Sequence, residues 1–134
     1  MGLIPPTDSM FLIAESRDTP MHVGGLQIFD LPDGAGPDWI GEQLERMLSD
    51  DHDVSPLFRK RPYRSVRTGG QWAWRDDDEL DVEYHFRHSA LPVPGRPREL
   101  LALGSRLHGS LLDRQRPLWE MHLIEGYGDR GFAI

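Results

Sequence analysis

The sequence predicts an α+β domain: a mixed β-sheet with helices packed against it in an α/β sandwich. Three observations carry this. Residues 37–48 and about 97–112 repeat their apolar side chains at helical spacing. Several segments of strand character surround them, some in hairpin-like pairs. Their alternation with the helices is irregular, which favours a mixed sheet. The chain has 134 residues, 38% of them hydrophobic and 28% charged, so it holds enough apolar content for a core. It is one domain's worth of chain, or a piece of a larger one.

Each element has its own signal. Residues 7–15 read as a short helix, with Thr7 as cap and Met10, Phe11 and Ala14 on one side. Residues 21–29 read as a strand whose apolar residues fall on both parities, Val23 and Phe29 against Leu26 and Ile28, implying burial on both faces. Gly24-Gly25 within it suggests a bulge or a close backbone approach. After a turn-rich loop over 31–37, Pro37 opens the helix carrying Ile40, Leu44, Met47 and Leu48. Asp50, Asp51 and Asp53 are placed in an exposed loop. Residues 61–67 and 71–75 read as strands around Thr68-Gly69-Gly70, followed by an acidic turn over 76–79 and a strand over 82–88. Pro92, Pro94 and Pro97 mark a linker into the helix that carries Leu100, Leu103, Gly104, Leu107 and Leu111. A strand over 118–125, a turn over 126–131 and a strand start at Phe132 complete the chain. Gly131-Phe132-Ala133-Ile134 has no stop signal, so a truncated product is expected.

Composition excludes several functions. With 15 Lys and Arg against 22 Asp and Glu, the net charge of −7 argues against a general nucleic-acid binder. The absence of cysteine removes disulfides, thiolate zinc sites and cysteine nucleophiles, and fits a reducing compartment. The first 13 residues contain no Lys or Arg and are interrupted by Pro5-Pro6, unlike a secretory signal. No apolar run approaches the roughly 18 residues of a membrane span. Phosphate-loop, dinucleotide, nucleophile-elbow and zinc-protease motifs are absent.

What remains is sparse. His85 and His88, three apart on a strand, would face opposite ways, which suits no single metal. The acids of 76–79 are consecutive and lack the alternating ligands and the glycine of a calcium loop. Residues 59–67 hold Arg59, Lys60, Arg61, Arg64 and Arg67. They read either as a patch for phosphates, of coenzyme A or of anionic lipid heads, or as a solvated strand face balancing the acidic loops. Trp119, Met121 and Leu123 form one face of a strand and are expected in the core. His122 lies on the other face with Leu118, Glu120 and Ile124. It reads as a structural histidine, because the sequence shows no nucleophile or orienting carboxylate beside it.

Three segments together resemble one family. Asp8-Ser9-Met10-Phe11-Leu12 with Pro20-Met21-His22-Val23-Gly24-Gly25-Leu26, then Pro56-Leu57-Phe58-Arg59-Lys60-Arg61, then Arg116-Pro117-Leu118-Trp119-Glu120 with Leu123-Ile124-Glu125-Gly126, resemble the bacterial wax ester synthase/acyl-CoA:diacylglycerol acyltransferases. The resemblance implies a fold like chloramphenicol acetyltransferase, of two related halves with a tunnel between them. It implies transfer of a fatty acyl group from acyl-CoA, a co-substrate rather than a bound cofactor, to diacylglycerol or a long-chain alcohol, with no metal. The family signature His-His-x-x-x-Asp-Gly, whose second histidine is the general base, is absent, and no His-His pair occurs. The chain is therefore expected to be an incomplete N-terminal domain over 1–134, ending within a strand before that motif, with no catalytic residue and no activity alone. By the same resemblance, Pro117, Leu118 and Trp119 present the catalytic strand, and Met10, Phe11, His22, Val23, Gly24 and Gly25 wall the tunnel. The implied partners are the missing C-terminal portion or another chain completing the sheet, with peripheral contact to the inner membrane face or a lipid droplet from the cytoplasm. Two other readings stand beside it: a non-catalytic lipid-binding module, and a half that acts only by assembly.

Overall fold

The computed structural model describes residues 2–49 and 54–134, so the expectation for Asp50, Asp51 and Asp53 lies outside the described residues. The described residues of Met1–Val23, Asp53–Leu80 and Ser110–Trp119 form one compact unit, and those of Gly24–His52, Asp81–Gly109 and Glu120–Ile134 form another.

The first unit is built on a hairpin. Strands β2 (Lys60–Tyr63) and β3 (Ala73–Asp76) pair antiparallel, from Lys60 opposite Asp76 to Tyr63 opposite Ala73. A 3₁₀ turn over Val66–Thr68 joins them, and Thr68 Oγ1 accepts from Ser65 N at 3.1 Å and donates to Ser65 O at 2.9 Å. Gly69 and Gly70 follow at φ +60° and +79°, a left-handed pair that glycine adopts without a Cβ penalty. Strand character thus stops at Tyr63, short of the 61–67 expected. The N-terminal segment lies along β3, where Ile4 N donates to Trp72 O and Trp74 N to Gly2 O, both at 2.9 Å. This buries Ile4 and Ala73. Helix α1 (Pro6–Ala14) follows, with Pro6 in its first turn and no buried side chain. Its end is tied by Arg114, which donates to Leu12 O at 2.6 Å and to Glu15 at 3.1 Å.

The second unit is a four-stranded mixed sheet in the order β1 (Ile28–Asp30), β6 (Gly131–Ala133), β5 (Met121–Tyr127), β4 (Phe86–Ala90). Strands β4 and β5 pair parallel, and β6 pairs antiparallel with both β5 and β1. Consecutive β5 residues face opposite ways. Leu123 joins Ile40 and Phe132 under helix α2 (Trp39–Ser49), while Ile124 joins Leu91, Leu100 and Ala133 under helix α4 (Pro97–His108). One sheet therefore carries a core on each face, as the α/β sandwich expectation requires.

Four local expectations are corrected. Residues 21–27 form no assigned strand; β1 starts at Ile28, although Gln27 exchanges backbone bonds of 2.8 and 2.9 Å with Ile134. β1 is an edge strand with Ile28 and Phe29 exposed, so burial on both faces fails. The segment 82–88 divides: Asp81 caps a helical turn, α3 (Val82–His85), through Tyr84 N at 3.2 Å, and the strand begins only at Phe86. Helix α4 ends at His108, with Gly109 as its cap, short of Leu112. Leu111 is consequently exposed and outside the helix stripe.

Gly95 fixes the approach to α4. Its φ is +70°, and a Cβ there would collide with the carbonyl of Gly126, which itself lies at φ +83° beside the β5 bulge. Gly128 N donates back to Gly95 O at 2.9 Å. Gly95→Ala is expected to destabilise the chain by on the order of 3 kcal/mol in chemical denaturation, from backbone strain and overpacking together. Just beyond, Arg96 grips the Glu99 carboxylate with Nη2 at 2.8 Å and Nε at 3.2 Å. That hydrogen bond holds the Glu99 carboxyl below its usual range and raises the Arg96 guanidinium above its own. A carboxyl lowered on folding stabilises above its unfolded-state pKa, and the gain fades as pH falls through the folded value. Glu99→Gln is expected to lower the thermal midpoint at neutral pH, with the difference shrinking below about pH 4.

Candidate functional site

Two of the segments that carry the family resemblance meet in the first unit. Trp119 Nε1 donates to Phe58 O at 2.8 Å, and the two rings meet edge to face with centroids 5.6 Å apart. Pro117 is buried, and its carbonyl accepts from Trp119 N at 2.9 Å, which folds Pro117-Leu118-Trp119 into a tight turn. Trp119 is only half-buried, contrary to the core placement expected of it, because its indole N–H is satisfied at the surface of the 3₁₀ turn Pro56–Arg59.

The start of β5 holds a charged network in the second unit. His122 Nε2 lies 2.9 Å from a Glu120 oxygen, and Arg87 Nη2 lies 3.5 Å from the other. Parallel pairing sets Arg87 directly beside His122. The Nδ1 of His122 is buried without a hydrogen-bond partner. Glu120 is thus the orienting carboxylate that the sequence reading did not find. Nothing in this network is a nucleophile.

The chain belongs to the wax ester synthase/diacylglycerol acyltransferase family. The family model described as the wax ester synthase/diacylglycerol acyltransferase catalytic domain matches residues 4–134. A putative diacylglycerol O-acyltransferase of Mycobacterium bovis and a probable one of Mycobacterium tuberculosis are each 54% identical to it over 134 residues. The alignment covers 100% of this chain and 29% of each relative. The solved wax ester synthase/diacylglycerol acyltransferase of Marinobacter aquaeolei VT8 superposes with a TM-score of 0.91 at 47% identity, over 99% of this chain and 31% of that one. The chain thus spans about three-tenths of the length of these family members.

Within the family frame, the sequence-predicted residues are dispersed. Met10 and Phe11 stand exposed on α1, His22 is half-buried, and Val23 is exposed, all in the first unit. Gly24 and Gly25 belong to the second. Gly24 makes the close approach expected of it, since a Cβ there would lie 3.1 Å from His108 Nδ1, whereas Gly25 has open space. His85 is fully buried in α3, while His88 pairs with Glu125 at 3.1 Å, so the two serve different elements. Among the described residues no three His, Asp or Glu side chains gather as a metal site would require.

Of the basic run, Lys60, Arg64 and Arg67 line one basin in the first unit, joined by Arg75, which the sequence reading did not single out. Arg59 and Arg61 are outside that lining, and Arg59 Nε donates to Val54 O at 3.3 Å. The Glu120-x-His122 spacing was a readable signal, because residues two apart share a strand face. Arg87 and Arg75 had no such signal, since only strand register brings them in. Trp119→Phe is expected to cost about 1 kcal/mol in urea denaturation, by stranding the Phe58 carbonyl while keeping the ring contact. Equal stability of the two proteins would show that this hydrogen bond holds nothing in place.

Proposed function

We propose that the chain forms the N-terminal portion of an O-acyltransferase that moves a fatty acyl group from acyl-CoA to the hydroxyl of diacylglycerol or of a long-chain alcohol. The observation that carries this is the match of the family's catalytic-domain model over residues 4–134. The names of the relatives, diacylglycerol O-acyltransferase and wax ester synthase, supply the two acceptor classes.

In this reading the acceptor oxygen attacks the thioester carbonyl carbon, the carbon–sulfur bond breaks, and coenzyme A leaves as thiol after taking up the acceptor's proton. The base that moves that proton belongs to the His-His-x-x-x-Asp-Gly signature, which these 134 residues do not contain. The chain contributes structure. Met10, Phe11, His22, Val23, Gly24 and Gly25 supply tunnel wall, and the exposed apolar side chains of Met10, Phe11 and Val23 suit contact with an acyl chain. Pro117, Leu118 and Trp119 brace the lead into β5. No helix among the described residues is long and apolar enough to cross a membrane, and the proposed access to lipid is peripheral.

The test is release of coenzyme A thiol from palmitoyl-CoA with diacylglycerol or hexadecanol as acceptor. It compares the 134-residue chain with a protein of the relatives' length that contains it. Turnover by the longer protein and silence from the chain are expected. Turnover by the chain alone, or silence from the longer protein with both acceptors, would overturn the reading.

A further inference from the structure

The hairpin of the first unit lines an open basin of about 840 Å³, within the roughly 300–1,000 Å³ usual for small-molecule sites. Lys60, Arg64, Arg67 and Arg75 line it, with Tyr63 and Trp74. Elsewhere several arginines are ion-paired, while Arg17, Arg46 and Arg130 make no ion pair among the described residues. Arg87 meets Glu120, Arg96 meets Glu99, and Arg114 meets Glu15. Around the basin, Lys60, Arg67 and Arg75 make no ion pair among the described residues. Asp76, directly opposite Lys60 in the ladder, and Asp78 also line it, and neither reaches ion-pair distance of these cations, so among the described residues four cations stand against two carboxylates. Arg64 is held with its guanidinium carbon over the Trp72 ring, 4.6 Å from its centre, at cation–π distance. Arg61 and Arg75 lie directly opposite in the β2–β3 ladder, a like-charge pairing that costs stability.

A chain with net charge −7 has carboxylates to spare for neutralising a merely solvated face. Concentrating four cations against two carboxylates here is what an anion site requires. We propose that this basin binds a phosphate group. Lys60, Arg67 and Arg75 supply the charge, and Arg64 adds a planar guanidinium that can donate in a pair. The proposal stands on the hairpin alone and does not depend on the acyltransferase reading.

Two sources offer that chemistry, a soluble phosphate compound and the headgroup of an anionic lipid. The experiment measures quenching or enhancement of the chain's tryptophan fluorescence, to which Trp74 in the basin contributes, on titration with pyrophosphate. In parallel it measures co-sedimentation with phosphatidylcholine vesicles with and without phosphatidic acid. The variant carries Lys60→Gln, Arg67→Gln and Arg75→Gln, all exposed positions. A control removes equal charge at Arg17, Arg46 and Arg98, exposed residues outside the basin lining. The unsubstituted chain should bind at least one probe, more weakly as salt rises. The triple variant should lose about tenfold or more in affinity, and the control should stay within about twofold. Binding to pyrophosphate alone identifies a soluble ligand, binding to vesicles alone a lipid headgroup, and binding to both a shared phosphate site. Failure to bind either probe, or an equal loss in variant and control, overturns the proposal.

Discussion

Strand β5 must be apolar on both faces over two consecutive residues, and the second unit is organised around that requirement. Leu123 and Ile124 point to opposite sides of the sheet, and each anchors a separate cluster, one under α2 and one under α4. Burying each side chain contributes roughly 1.5–3 kcal/mol. The larger consequence is geometric. A strand hydrogen-bonded to β4 on one side and β6 on the other, and packed above and below, has no freedom to shift register without exposing one core or the other. His122 lies at the start of this strand and Glu120 immediately before it, so the Arg87–Glu120–His122 network is held on the strand's fixed lead.

What the sequence made legible follows from the range of the forces involved. Helices α2 and α4 were readable because their apolar stripes, Ile40 with Leu44 and Leu100 with Leu103, are local patterns. The left-handed Gly69-Gly70 pair was readable as a turn for the same reason. The segment 82–88 was misread because its strand-like residues, Val82, Tyr84 and Phe86, hide a capped turn whose only local mark is Asp81. The segment 21–27 was misread because two glycines and an exposed Val23 give it no face to bury. Edge position did the same to β1, since nothing in Ile28 and Phe29 tells how many neighbours a strand will have.

The candidate sites divide along the same line. Glu120 beside His122 is a two-residue spacing and could be read once a strand was assumed. Arg87, from a parallel neighbour, and Arg75, from the far arm of a hairpin, enter only through register. Charge segregation is also invisible to a net-charge sum. The excess of Asp and Glu suggests that any basic run is neutralised, yet Lys60, Arg67 and Arg75 make no ion pair among the described residues.

The Phe58–Trp119 contact suits the structural role proposed for the short motif of Pro, Leu and Trp. None of the three side chains titrates, and the single polar atom among them is spent on a backbone carbonyl. Proline restricts the backbone before β5, and its own carbonyl closes the turn on Trp119 N. The indole then bridges to a segment 61 residues earlier, which secures the lead into the strand against the 3₁₀ turn Pro56–Arg59. A phenylalanine would keep the ring contact without the hydrogen bond, and a tyrosine would place its hydroxyl elsewhere. Tryptophan alone combines a large apolar face with a donor on its edge, and that pairing is what the site requires.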